Sequence, residues 1–172
     1  MEIISTHIHA DFDALASMAA AVKLYPKARL LFPGSQERNV REFLQETKFP
    51  LRAERLRGFP LEAITRLVLV DVKRGTRIGP LKGVLGRPGM EVHIYDHHPA
   101  HPKDIAGSLE VLRDVGATTT ILLGLLREQE AAITPQEATL FALGIYEETG
   151  FLTFTNTTEA DLHAAAFCLS RG

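Results

Sequence analysis

The stretch Val92-His93-Ile94-Tyr95-Asp96-His97-His98-Pro99 decides how this chain is read. Its first four residues form a short, nearly unbroken apolar run, the signature of a parallel strand covered on both faces. An acid and two imidazoles follow at once. That is how an α/β sheet offers cation ligands, at the carboxyl end of a buried strand. Leu67-Val68-Leu69-Val70 repeats the pattern and ends in Asp71; the short strand candidate Ile3-Ile4-Ser5-Thr6 is followed by His7, Asp11 and Asp13.

Working outward, strand-like and helical patterns alternate. Leu15, Met18, Val22 and Tyr25 recur at helical spacing from Asp13, which would sit at the helix start, until Pro26 stops the segment. Arg29-Leu30-Leu31-Phe32 reads as a strand ending at Pro33-Gly34, and Val40, Phe43 and Leu44 give the next segment one apolar face. Helices are predicted over 118–126, 135–146 and 158–169, the second opened by a capping box of Thr134 and Glu137 with Pro135 in its first turn. In 51–58, Arg52, Arg55 and Arg57 alternate with apolar residues and predict a solvated face or a strand edge. This order predicts an α/β fold, a doubly wound, mostly parallel sheet with helices on both faces, whose functional groups gather at the strand carboxyl ends.

A length of 172 residues with 45% hydrophobic content suits one domain spanning 1–172. The formal net charge of -2 supplies no global positive field for nucleic acid, so contact with a polyanion must be local or metal-mediated. Cys168 is the only cysteine, which excludes an internal disulfide and suits a reducing compartment; it reads as a small core residue of the last helix. No basic-then-apolar leader and no run near the roughly 20 apolar residues of a membrane span is present. A cytoplasmic protein without a membrane partner is expected. Neither a Walker loop nor a dinucleotide glycine fingerprint occurs, which argues against an ATPase or a dehydrogenase.

His7, Asp11 and Asp13 form a His-x-x-x-Asp-x-Asp segment, so one turn can direct His7 and Asp11 at one ion and Asp13 at another, with Asp71 as a bridge. Two cations about 3.5–4 Å apart make hydroxide available near neutral pH and hold a phosphoryl oxygen, which predicts phosphoester or phosphoanhydride hydrolysis. Without cations the gathered carboxylates would repel one another. Lys73 and Arg74 either neutralise a substrate phosphate or face solvent. Gly116-Ala117-Thr118-Thr119-Thr120 offers either a phosphate cradle at a positive helix end, with Thr118 in it, or a simple cap. His93 reads as a satisfied buried histidine; His101, His163, Asp104 and Asp114 read as solvated or loop residues.

The chain resembles the DHH phosphoesterase superfamily in four segments. They are His7-Ile8-His9-Ala10-Asp11-Phe12-Asp13-Ala14-Leu15-Ala16-Ser17, Val70-Asp71, Asp96-His97-His98-Pro99 and Gly144-Ile145-Tyr146-Glu147-Glu148-Thr149-Gly150. The resemblance implies two manganese ions, with magnesium as the alternative: one on His7, Asp11 and Asp71, the other on Asp13, Asp71, His97 and Glu148. It further implies that His98 contacts the phosphate and that Asp96 orients a ligand, making Asp71, His97 and His98 the catalytic set. Two departures stand out, because the family usually carries Asn where this chain has His9 and Asp where it has Glu148.

Both departures resemble the amino-terminal DHH module of bacterial proteins that continue into CBS domains and a tRNA nucleotidyltransferase or poly(A) polymerase-like head. The stop at Ser170-Arg171-Gly172 fits an excised piece of such a protein. The implied substrate is a small phosphate compound or short oligonucleotide, with tRNA reached only through downstream domains and homodimerisation left open. The alternative expectation is a non-catalytic regulatory module that binds nucleotide or metal.

Overall fold

A computed structural model describes all residues 1–172. Along the chain lie β1 (Glu2–Ser5), α1 (Phe12–Leu24), β2 (Arg29–Phe32), α2 (Arg38–Thr47), β3 (Ala53–Arg55), β4 (Arg66–Val70), β5 (Glu91–Asp96), β6 (Leu109–Leu112), α3 (Thr118–Glu128), α4 (Pro135–Glu148) and α5 (Glu159–Leu169). Short 3-10 turns cover Leu61–Ala63 and Gly79–Val84.

The six strands form one sheet in the order β3-β2-β1-β4-β5-β6, and every neighbouring pair is parallel. This is the parallel α/β sheet the apolar runs predict, except that the α-helices, expected on both faces, all pack against one, and 3-10 turns cover the other. The chain winds outward from β1 to β3, then returns to the other side of β1 as β4. Loops leaving β1 and β4 therefore diverge and open a crevice at their carboxyl ends.

Burial on both faces explains the unbroken runs. In β4, Val68 and Val70 enter one core cluster while Leu67 and Leu69 enter the other; Ile4 and Ile3 divide in the same way. The larger cluster, of 27 buried residues, packs α1, α3, α4 and α5 and also takes Val40 of α2; the smaller, of 11, is closed by the two 3-10 turns. No helix is long and apolar enough to cross a membrane.

Helix ends follow capping chemistry with one correction. Thr134 and Glu137 form the predicted capping box of α4, and Thr158 with Asp161 forms another at α5. Asp11, not Asp13, caps α1, its Oδ1 accepting from the Ala14 amide at 2.9 Å. Asp13 is inside the first turn and fully buried. The stretch 51–58 contains β3, an edge strand as one of its two readings holds, and β6 forms the other edge without having been foreseen.

α4 crosses α1 closely at Gly144, where a Cβ would stand 2.8 Å from the Ala16 Cβ and 2.9 Å from Thr119 Oγ1. That approach delivers the last turn of α4, with Glu148, to the crevice.

Candidate metal centre

β1 hands over to a loop in which His7 is buried, with 1% of its surface exposed. Its Nδ1 lies 2.9 Å from the Ile8 carbonyl, so Nδ1–H donates there and Nε2 is turned toward the crevice. Nε2 stands 3.2 Å from Asp71 Oδ2 and 3.4 Å from Asp11 Oδ2. Asp71 follows β4 with φ +57°, in the left-handed region that aspartate tolerates better than most residues. Such strain is characteristic of functional turns. The other Asp71 oxygen, Oδ1, accepts from Thr118 Oγ1 at 3.0 Å and lies 3.6 Å from His97 Nε2. One carboxylate therefore faces two separate groups of ligands.

His97 follows β5. Its Nδ1 donates to the Val115 carbonyl at 3.0 Å. Its Nε2 is buried without any hydrogen-bond partner, 3.6 Å from Glu148 Oε1 and 4.0 Å from Asp13 Oδ2. Leaving a buried polar nitrogen unpaired costs about 1–3 kcal/mol. An imidazole with a free lone pair, ringed by three carboxylates, is a donor set that fits a divalent cation. Two triads lie close enough to hold an ion, His7-Asp11-Asp71 and Asp71-His97-His98, and they share Asp71.

Asp96 Oδ1 accepts from the His97 and His98 amides at 3.0 and 3.3 Å and from His98 Nδ1 at 2.7 Å. It thereby orients His98 at the mouth of the centre, where 37% of that side chain remains exposed. Every predicted ligand, His7, Asp11, Asp13, Asp71, His97 and Glu148, is thus brought to one crevice.

The cradle reading of Gly116–Thr120 is corrected. The Thr118 and Thr119 amides both donate to Asp13 at 2.8 Å, and Asp161 accepts from the Gly116 amide and Thr120 Oγ1. Internal carboxylates already occupy that positive helix end, and Thr118 supports Asp71 instead of a phosphate. Asp104 is the loop residue expected, and there it pairs with Arg74 Nε at 2.9 Å and lies 3.8 Å from Lys73 Nζ. Lys73 is 4% exposed and donates to the His98 carbonyl at 2.6 Å, so its solvent-facing reading does not hold.

A model of the DHH family, N-terminal domain, matches residues 2–145. The chain belongs to the DHH family. It is 52% identical over 173 residues to an A-adding tRNA nucleotidyltransferase of Geobacter sulfurreducens, covering 100% of this chain and 20% of that protein. The corresponding protein of Aquifex aeolicus is 35% identical over 164 residues, with 95% and 18% covered. This DHH domain thus spans about a fifth of these curated relatives. Among solved structures, a Methanococcus jannaschii protein assigned to the family II inorganic pyrophosphatases superposes with TM-score 0.77 at 18% identity, over 99% of this chain and 56% of that one. An exopolyphosphatase-related protein of Bacteroides fragilis gives 0.75 at 15%, over 99% and 52%. The domain has the fold of these two proteins.

Electrostatics in the DHH domain bear out the expected repulsion. Burial opposes charge on His7, but hydrogen bonds to Asp11 and Asp71 raise its pKa to about 10. Burial and then the neighbouring Asp13 push Asp71 well above the carboxylate range. Burial, with Asp13 and Asp11 nearby, lifts Glu148 to about 7. Anions crowded this way call for positive charge.

His93 is satisfied as expected, its Nδ1 2.8 Å from the Tyr25 hydroxyl, but only half-buried, and His101, His163 and Asp114 are exposed. His9, with φ +61°, bonds Ser35 Oγ at 2.6 Å and lies outside the ligand set; histidine is among the residues enriched in that backbone region. Sequence reasoning missed Glu147, which accepts from the Phe12 amide at 2.8 Å and Asn39 Nδ2 at 2.7 Å. It also missed Asp161, although the Thr158-x-x-Asp161 spacing signals a cap.

Proposed function

We propose that this DHH domain is a phosphoesterase working with two manganese ions on a phosphodiester or phosphoanhydride of a short oligonucleotide or nucleotide-like substrate. One observation carries the reading: the two oxygens of Asp71 face two ligand groups, and one of those groups contains the unpartnered His97 Nε2. His7, Asp11 and Asp71 would hold one ion, and Asp13, Asp71, His97 and Glu148 the other. Magnesium suits the carboxylates, but the two imidazole ligands, His7 and His97, favour manganese. When bound, the ion pair supplies solvent made acidic enough to attack near neutral pH and positive charge for the phosphoryl oxygens.

The protein's own residues do the rest. His98, held by Asp96 at 2.7 Å and protonated more readily because of it, presents a positive imidazole to a phosphate at the crevice mouth. Thr118 and the Val115 carbonyl keep Asp71 and His97 aimed inward. The net charge of -2 disfavours a long polyanion, which supports a short substrate.

A second reading rests on the 52% identity to a tRNA nucleotidyltransferase of which this domain covers 20%. In that reading it serves as a regulatory nucleotide- or metal-binding module, and tRNA is bound by other segments. Manganese titration coupled to hydrolysis of bis(p-nitrophenyl) phosphate separates the two. The enzyme reading expects two ions per chain and manganese-dependent turnover. Nucleotide binding with metal bound but no turnover on any phosphodiester or anhydride would replace it with the module.

A further inference from the structure

Beside the metal centre a cavity of about 310 Å³ is lined by Lys73, Arg74, Arg77, Asp96, His98 and Pro99 among others. Its three cations are not equivalent. Lys73 is spent on the His98 carbonyl and Asp104, and Arg74 on Asp104. Arg77 is half-buried as a residue, and its guanidinium makes no hydrogen bond or ion pair within the chain. Its backbone is nonetheless fixed, since the Arg77 carbonyl accepts from the Ile8 amide at 2.8 Å and the Arg77 amide donates to the Arg74 carbonyl at 2.9 Å. A guanidinium on an anchored loop thus shares one cavity lining with His98.

We infer that Arg77 and His98 form a subsite for a second phosphate group of the substrate, next to the one under attack. The inference rests on the proposed phosphoesterase reading and deepens it. A guanidinium fork matches phosphate oxygens two at a time. Asp71 Oδ1 lies 3.8 Å from His98 Nδ1, so an anion touching both His98 and Arg77 adjoins the metal centre. The cavity volume sits at the lower end of the roughly 300–1,000 Å³ usual for small-molecule sites. Two neighbouring phosphates are the shared chemistry of a phosphoanhydride and of a dinucleotide carrying a 5′-phosphate.

Calorimetry on the manganese-loaded chain tests this with two pairs of probes, pyrophosphate against phosphate and a 5′-phosphorylated dinucleotide against its unphosphorylated form. The subsite expects the additional phosphate to tighten binding roughly tenfold or more in at least one pair, as one charge-assisted contact should. The responsive pair identifies the source. Arg77→Met should erase that preference while leaving manganese stoichiometry and the weaker probe unchanged, and Arg77→Lys should restore part of it. A preference that survives Arg77→Met, or its absence from both pairs in the unaltered protein, overturns the subsite. Failure of every probe to be hydrolysed would instead refute catalysis, and the binding difference would still decide the role of Arg77.

Discussion

The two halves of the centre share Asp71 but neutralise their charge differently. On one side, His7 Nε2 sits 3.2 and 3.4 Å from two carboxylates, and a proton held up to about pH 10 stands where a cation would. On the other, His97 Nε2 has no partner, Asp13 is fixed by two amides of α3, and Glu148 hangs 32% exposed from the end of α4 with its pKa near 7. The first half carries its own positive charge; the second does not. Glu148 reaches the second half as a partly exposed arm from the end of α4, so the ion it would help hold should be the one a single substitution can weaken most.

Asp71→Asn should have the largest effect, because it strikes both halves. Each lost charge-assisted contact is worth about 1.5–3 kcal/mol, so losing two lowers turnover by roughly 10³-fold. Manganese stoichiometry measured by titration should fall below two. Unchanged turnover would eliminate the bridging role. Glu148→Gln should break only the second half, weakening the second ion by roughly 10–100-fold and leaving the first in place. Equal loss at both steps of the titration would show that the halves are not separable.

Legibility in the sequence divides along the same line. The acids and imidazoles at the ends of β1, β4 and β5 were visible because strands buried on both faces must be unbroken apolar runs, and the residues just past such a run enter the crevice. β6 was not visible because Leu109-Glu110-Val111-Leu112 lies on an edge, only partly buried, and fits neither an alternating nor an unbroken pattern. The capping roles of Asp11 and Asp13 were not separable, since both are good caps. The choice was made by the α3 amides, 105 residues from Asp13. For the same reason the cradle and cap readings of Gly116–Thr120 were not separable. The anions exist, but they are the protein's own Asp13 and Asp161. Burial of Lys73 depends on Asp104 and the His98 carbonyl and leaves no local pattern.

The proton that stands in for a cation also makes the comparison depend on pH. His7 titrates at about 10 in the fold against an ordinary value near 6.5, so its stabilising contribution is complete below 6.5 and lost as pH rises through 10. Glu148, at about 7 against 4.5, acts with the same sign: the fold prefers its neutral form, and that preference fades as pH climbs from 4.5 through 7. Asp11, lowered by His7 against its burial, works the other way only below its ordinary 3.8. Melting of the chelator-treated protein should therefore fall from pH 5.5 to 8.5, while manganese affinity rises over the same interval as the ligands give up protons. A metal-free melting temperature that increases with pH would contradict this account.

Thr118→Val should give the smallest effect, and it sharpens the comparison because Thr118 touches the shared carboxylate on one oxygen only. Its hydroxyl donates to Asp71 Oδ1, the oxygen facing His97, while Oδ2 faces His7. Valine keeps the shape of the fully buried side chain, and the Thr118 amide still donates to Asp13. The fold should persist. Losing a hydrogen bond that orients a ligand typically costs 10–100-fold in metal affinity, and with the Thr118 amide contact retained the low end applies, roughly tenfold. That loss should fall on the second manganese, read as a wider gap between the two steps of a titration. If both steps weaken together, Asp71 moves as one rigid ligand and the two halves are a single site.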